Sequence, residues 1–328
     1  MTVSRTINGH PYVAPETAKK VRAAIRRLGY RPNHAARMLT GQLSRSIGLI
    51  VPDIADTFFS VVSHAVQETA RESGYLVWLA ASDEDPTIEA AQVEMMTHHP
   101  VDGILLVPSD SRNGYLKALA SGTTPIVTID RPIEIATTDS VGVENRRGAR
   151  MAVEHLIQHG YKKITCVAAN SHLLTIKERI AGYKESMRRA KLPYPKELRV
   201  STPSSVKSAL SELFGSRNRP DALFTANNAS TIWVIETLQE LDIEMGKDVA
   251  LVGFDDVAFF TLITPPVTAV RQPATELGSM AARLLLQRIN GEFKASSVRT
   301  VLPVTLTIRE SCGCKKRDDP YFNVDYVT

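Results

Sequence analysis

RPNHAARMLTGQLSRSIGL, residues 31–49, is where the chain changes character. Upstream lies a short, basic segment with helical patterning. Downstream lies a long body in which short apolar runs alternate with amphipathic stretches. The switch from 3.6-residue periodicity to compact apolar runs at Ser46 marks the border between an all-α head and an α/β body.

Ten apolar runs read as strands in the body: 47–51, 76–81, 103–107, 126–129 and 140–143, then 164–168, 199–201, 222–225, 249–253 and 268–270. Helical patterns fall between them at 59–73, 88–98, 147–159, 176–191, 205–214, 230–241 and 274–290. Strands that are apolar almost throughout belong to parallel sheets covered on both faces. About five strand–helix units lie on each side of Glu144, which predicts two similar, doubly wound lobes. The expected boundaries are 46–144 for lobe 1, 145–270 for lobe 2, and a shared segment over 271–310 that crosses between them. Ligands of such sheets bind beyond the carboxyl ends of the strands, so a small molecule is expected between the lobes.

Upstream, Pro15-Glu16-Thr17 has the makings of a helix start, with proline in the first turn and an acid near the positive dipole end. Val21, Ala24, Ile25 and Leu28 then follow helical spacing, and Gly29 ends the run. A shorter helical piece is expected over 33–39.

The overall charge of +4 conceals an asymmetry. Residues 1–45 hold nine Lys or Arg and the single acid Glu16, whereas the remaining residues are net acidic. A basic head on a mildly acidic body points to a polyanionic partner. No apolar run is long enough to span a bilayer, and the first ten residues contain no signal-peptide core, so a cytoplasmic location is expected. The three cysteines, Cys166, Cys312 and Cys314, do not make a disulfide framework. Cys312-Gly-Cys314 could hold a metal but lacks a second ligand pair, so no metal is expected there, and no cofactor is expected. No phosphate loop, GxGxxG, GxSxG or HExxH motif occurs, which argues against an enzyme.

Several segments together resemble the lactose-repressor (LacI/GalR) family of bacterial transcription regulators. They are TVSRTING (2–9), HPYV (10–13), APET (14–17), RAAIRRLGYRPNHAARML (22–39) and SIGLIVPD (46–53) in the first part. AGYKESM (181–187), ALFTANN (222–228), DVALVGFDD (248–256), RQPATELGSMAARLLL (271–286) and LPVTLTIRES (302–311) follow in the body. Each motif alone is weak; their order and spacing carry the resemblance. It implies a helix-turn-helix head over 1–31, a hinge helix and linker over 32–45, and a body over 46–328 similar to periplasmic sugar-binding proteins. It also implies a homodimer that binds palindromic operator DNA, most simply as a repressor, and is controlled by a small-molecule effector.

By that resemblance Thr2, Val3, Ser4 and Arg5 begin the recognition helix, whose N-terminal residues meet base edges in the major groove. Arg5 can fork onto guanine or contact a phosphate. Tyr12, Thr17 and Arg22 are expected on phosphates. Asn33, Ala36, Arg37 and Leu39 fall in the hinge, and Leu39 matches the family's minor-groove wedge. The family's head has a further helix ahead of this segment, whereas Met1 stands where the recognition helix starts. A start codon assigned too far downstream is the expected cause. The apolar residues left in the head are few for a core of their own.

The resemblance implies effector contacts from Asp53, Phe58, Phe59, Asp83, Asp130, Arg131, Arg179, Asn227 and Asp255, most of them at or near strand ends. Of the two phenylalanines, one is expected to face the core. Carboxylates, an amide and an arginine suit the hydroxyls of a sugar or related polyol, which both donate and accept. Arg179 matches a family arginine that holds effector hydroxyls or carboxylates. Gln272, near the crossover, is expected to be structural. Two other readings stay open: a cytoplasmic ligand-binding protein without a working head, and a regulator that answers to a partner protein.

Overall fold

In a computed structural model of the chain, two compact units are distinguished, Met1–Ser44 and Arg45–Thr328. The structure describes residues 2–7, 12–28, 43–98, 101–110, 114–120, 122–133, 135, 138–194, 197–292 and 297–314. In the first unit, α1 (Thr2–Ile7) and α2 (Pro15–Leu28) are in contact. Helix α2 buries none of its side chains, and Leu28 is 73% exposed. The expected hinge residues Asn33, Ala36, Arg37 and Leu39 lie outside the described residues.

The second unit contains two six-stranded sheets. Lobe 1 is built on β1 (Ser46–Val51), β2 (Leu76–Ala81), β3 (Ile104–Leu106), β4 (Ile126–Ile129), β5 (Asp139–Val143) and β11 (Arg299–Leu302). Their order is β11-β5-β4-β3-β1-β2, and every pairing is parallel. Lobe 2 is built on β6 (Ile164–Ala169), β7 (Leu198–Val200), β8 (Ala222–Thr225), β9 (Ala250–Phe254), β10 (Thr268–Arg271) and β12 (Thr305–Thr307). Their order is β12-β10-β9-β8-β6-β7, with only β12 antiparallel.

Eight helices of the second unit are described: α3 (Thr57–Glu72), α4 (Pro86–His98), α5 (Gly114–Ala120), α6 (Asn145–Gln158), α7 (Leu174–Arg189), α8 (Pro203–Gly215), α9 (Asn228–Glu240) and α10 (Ala274–Ile289). Successive strand residues alternate between two buried faces. Ile47, Leu49 and Val51 join one core, whereas Ile50, Ile104 and Leu106 pack with Val93, Met96 and Leu116 on the other. Lobe 2 repeats this: Cys166, Phe224 and Val252 face α6 and α7, and Val167, Leu223 and Leu251 face Val206, Leu210 and Val234. Each large apolar side chain so buried contributes roughly 1.5–3 kcal/mol.

The chain passes between the lobes three times, at 143–145, 271–274 and 302–305. Two passages run side by side, because Leu302 pairs with Val143 and Glu144 N–H donates to Leu302 O at 3.1 Å. After crossing, α6 packs on α7 and α10 packs on α3, the two most intimate helix pairs. Each contact is opened by a glycine. A Cβ at Gly278 would lie 2.5 Å from Val62 O, and one at Gly182 would collide with Arg146 O.

The ten strands expected from sequence all form. The short β11 and β12 and helix α5 are additions to that reading. Six helices begin two residues earlier than their apolar periodicity suggests, at Thr57, Pro86, Asn145, Leu174, Pro203 and Asn228.

Candidate functional site

Four parallel strands end in a residue with a left-handed backbone that is not glycine. Asp83 (φ 52°) lies beyond β2, Asp130 (φ 65°) beyond β4, Asn170 (φ 50°) beyond β6 and Asp255 (φ 76°) beyond β9. Such conformations cost free energy and collect at ligand sites, where they aim a side chain that an extended strand would misdirect. Two of these residues, Asp130 and Asp255, belong to different lobes yet sense each other's charge.

Arg179 is the centre of the lobe 2 side. Its guanidinium is buried and lies 3.7 Å above the Phe254 ring. Nε donates to Asn145 Oδ1 at 2.8 Å and Nη1 to Ala226 O at 2.9 Å, while Asp255 Oδ2 is 3.3 Å from Nη1. The Asp255 carboxylate also accepts from Gln272 Nε2 at 2.5 Å and from Asn228 N–H at 3.2 Å. Gln272, expected from sequence to be structural, holds the Asp255 carboxylate from the crossover. Its Oε1 is buried with no hydrogen-bond partner among the described residues.

Lobe 1 contributes Asp130 and Arg131. Arg131 forks onto Glu84 with two bonds of 2.7 Å, donates to Pro108 O at 3.1 Å and lies over the Phe59 ring. Burial pushes the Asp130 carboxyl above its ordinary range. Arg131 and Arg179 pull it down, and Asp255 and Glu84 push it up again. Asp130 thus feels charges from both lobes. Its Oδ1 is buried without a hydrogen-bond partner among the described residues, as is Ser109 Oγ beyond β3.

The direct polar bridge between the lobes is made by residues the sequence reading passed over. Asp56 caps α3 by accepting from Phe58 N–H at 2.8 Å. Its other oxygen accepts from Asn228 Nδ2 at 3.0 Å. Burial raises the Asp56 carboxyl above its usual range; the Asn228 bond opposes the rise and the Asp255 charge adds to it. Asn227, the residue singled out from sequence, spends its side chain on a capping box with Ser230 at the start of α9. Asp53 is exposed and closes its own turn by accepting from Ala55 N–H. Asp83 is exposed, with its N–H bonded to Pro52 O. Phe59 is in the core, whereas Phe58 is half-buried and lines a cavity of about 560 Å³ together with Thr57, Asp255, Gln272 and Arg271. A second cavity of about 370 Å³ opens past Asp130, Asn145 and Glu144. The charged cluster lies between these two mouths.

The head supplies the other candidate surface. Thr2, Val3, Ser4 and Arg5 all lie on α1, with Thr2 and Val3 exposed, and Thr6 Oγ1 bonds back to Thr2 O at 3.0 Å. Tyr12, Thr17 and Arg22 are exposed.

Two doubly wound lobes joined by three crossovers, with a buried arginine–carboxylate cluster where they meet, have the architecture of a two-lobed binding-protein-like domain. Comparison with known proteins makes this specific. Residues 153–312 match the profile of the periplasmic binding protein-like domain, and residues 1–33 match that of the bacterial regulatory proteins, lacI family. The HTH-type transcriptional regulator DegA of Bacillus subtilis (strain 168) is 30% identical over 94% of this chain and 93% of its own. A putative ribose operon repressor from Burkholderia thailandensis shares 32% identity, with 80% of this chain and 98% of that one covered and a TM-score of 0.73. A transcriptional regulator CelR–cellobiose complex shares 30% identity over 94% of each chain, with a TM-score of 0.74. The chain belongs to the lacI family of bacterial transcription regulators. Among the described residues, no helix is long and apolar enough to cross a membrane.

Proposed function

We propose that this regulator binds a sugar or closely related polyol between its lobes, and that the bound effector sets its affinity for operator DNA. The observation that carries the reading is the cluster of Arg179, Asp255, Gln272 and Asp130, in which Asp130 Oδ1 and Gln272 Oε1 are buried acceptors without partners. A buried acceptor left unbonded is costly, and effector hydroxyls would satisfy both. Arg179 would donate N–H hydrogen bonds to further oxygens of the ligand. The aromatic flank is Phe58, beside the larger mouth. The names of two relatives, a cellobiose complex and a ribose operon repressor, support the sugar class.

Effector bound to both lobes fixes their relative angle through the three crossovers. The reading assigns Thr2, Val3, Ser4 and Arg5 to base edges, Tyr12, Thr17 and Arg22 to phosphates, and Asn33, Ala36, Arg37 and Leu39 to the hinge. Repression, a cytoplasmic location and the absence of catalysis follow the same reading. The dimer face is lobe 1's edge strand. There Leu76 and Trp78 are 71% and 51% exposed, and Met95 on α4 is exposed as well. A large apolar edge of this kind invites pairing with a second copy.

The test is a panel of mono- and disaccharides screened by thermal shift, followed by fluorescence anisotropy on palindromic operators with the stabilising compound titrated in. One sugar should raise the melting temperature and change operator affinity. If no sugar or polyol stabilises the protein, the effector assignment fails and control by a protein partner takes its place.

A further inference from the structure

The Cys-Gly-Cys turn near residue 313 does have a second ligand pair, supplied by the fold rather than by nearby sequence. His155 and His159 lie one helical turn apart at the C-terminal end of α6, with ring centroids 4.5 Å from each other. Cys314 Sγ is 3.5 Å from His155 Nε2 and 3.4 Å from His159 Nε2. One ligand atom from each of the three residues lies within 4.8 Å of the other two. His155 and Cys314 are buried and His159 is exposed.

These separations are those of co-ligands around one small cation. Zinc bonds of about 2.3 Å to thiolate and about 2.0–2.1 Å to imidazole, at tetrahedral angles, put sulfur and nitrogen about 3.6 Å apart. Cys312 Sγ donates to Cys314 Sγ at 3.0 Å, closer than the roughly 3.8 Å of two thiolates sharing such an ion. Cys312 Sγ, which also lies 3.2 Å from Thr268 Oγ1 and 3.2 Å from Arg309 O, thus sits beside the ligand sulfur and outside the three-residue ligand set.

The turn is held rigidly for this task. Ser311 Oγ donates to Leu251 O at 2.6 Å and accepts from Thr268 N–H at 2.8 Å, which anchors the turn to two strands of lobe 2. Gly313 has φ 85°, and a Cβ there would strike the Tyr161 hydroxyl, whose O–H donates to Cys312 O at 3.1 Å. Two imidazoles and a thiolate form a borderline-soft donor set that selects zinc-like cations over calcium or magnesium. The negative end of the α6 dipole favours a cation at the same place.

We propose that His155, His159 and Cys314 form a binding site for one zinc-class divalent cation, which fastens the C-terminal segment to the end of α6. Cys314 binds as thiolate and releases its proton to solvent. The site is independent of the sugar reading. It lies at the opposite end of α6 from Asn145, the residue that contacts Arg179.

The test is Co²⁺ titration of the full chain, purified metal-free under a phosphine reductant, with the ultraviolet and visible spectrum as readout. The expected result is one Co²⁺ per chain with a thiolate-to-cobalt charge-transfer band, displaced by Zn²⁺. Cys314→Ser should abolish that band. His159→Ala, an exposed change that leaves the fold intact, should weaken Co²⁺ binding by more than about a hundredfold, since changes to groups that merely support a ligand already cost about 10–100-fold. Cys312→Ser should keep the band with reduced affinity. A reduced chain that takes up no Co²⁺, or a band that survives both His159→Ala and Cys314→Ser, overturns the proposal.

Discussion

Asn228 Nδ2 donates to Asp56 Oδ2 at 3.0 Å, joining the first turn of α9 in lobe 2 to the cap of α3 in lobe 1. The bond spans the two lobes, so opening them would break it. It should stabilise the closed form by about 1.4 kcal/mol, near the upper end for an ordinary hydrogen bond and equivalent to a tenfold change in a closing equilibrium. Asn228→Ala should therefore weaken effector binding about tenfold by calorimetry while shifting the melting temperature little. Asp56→Asn should weaken it comparably, because the amide keeps a single acceptor oxygen and can serve Phe58 N–H or Asn228 Nδ2 but not both. An unchanged affinity in Asn228→Ala would show that the bond contributes nothing to closure.

Arg179 should be far less tolerant. It satisfies Asn145, Ala226 and Asp255 at once while stacked on Phe254. Arg179→Met removes all three bonds and leaves Asp255 as a buried carboxylate without its cation. Breaking such a pair costs about 3–5 kcal/mol. Chemical denaturation should show that loss, and effector binding should disappear. Arg179→Lys restores a charge but not the planar fork, so it should recover most of the stability and little of the binding. Equal recovery of both would mean that charge alone matters.

The fold was legible from residue 46 onward because parallel strands buried on both faces must be apolar almost throughout. The runs at 47–51 and 222–225 announce this directly. In the candidate site, Asp130 and Asp255 were legible as acids just past strand ends, and Arg179 through the family resemblance. Asp56, Asn145 and Asn228 escaped for one physical reason. Each sits in or beside the first turn of its helix, ahead of the apolar periodicity, and those turns are polar because they face the cleft rather than the core. His155 and His159 escaped differently. Helical spacing places them on one side of α6, but only the return of the chain to lobe 2 brings Cys314 against them.

The two helix crossings give a stability prediction with a built-in control. Gly278→Ala puts a methyl group against Val62 O, and Gly182→Ala puts one against Arg146 O. Both neighbours are backbone atoms that cannot turn aside. Overpacking of this kind costs about 1–3 kcal/mol. Gly215→Ala, at the last residue of α8 with open space around it, should be neutral or stabilise by up to about 1 kcal/mol. Denaturant midpoints for the three variants check the ordering, and equal midpoints would refute the close-packing account.

Acid should unlock one edge of lobe 2. Burial pushes the Glu197 carboxyl up, but Lys184 at 2.8 Å and Arg199 at 2.8 Å override it and hold it at about 2, below its ordinary 4.5. A depressed carboxyl stabilises the folded state at pH values above its unfolded value. That contribution is lost as pH falls from about 4.5 toward 2. Allowing for the solvent around both cations, it is on the order of 2 kcal/mol. Glu197→Gln should lower stability at pH 7 by that amount and flatten the pH dependence over this window. A variant whose stability falls as steeply with acid as the parent would place the effect elsewhere.

Operator binding should depend on lobe 1's edge strand even though no DNA contact is expected there. Among the described residues, strand β2 is paired on one side only, to β1, and carries Leu76 and Trp78 on its surface. If two copies meet along this edge, two basic heads are held together over one palindrome. The second head then binds at a high effective concentration, which raises overall affinity by about 10²–10⁴ without any new contact. Leu76→Glu with Trp78→Glu introduces like charges on both sides of such an interface, so the pair of substitutions should yield monomers by analytical ultracentrifugation. Because Leu76 and Trp78 lie away from the Arg179–Asp255 cluster, effector binding should persist in the monomer while operator affinity falls by that factor. Loss of dimer with operator affinity unchanged would separate assembly from DNA recognition. A variant that remains dimeric would move the interface off this edge, leaving exposed Phe259 and Leu262 of lobe 2 as the next apolar surface to substitute.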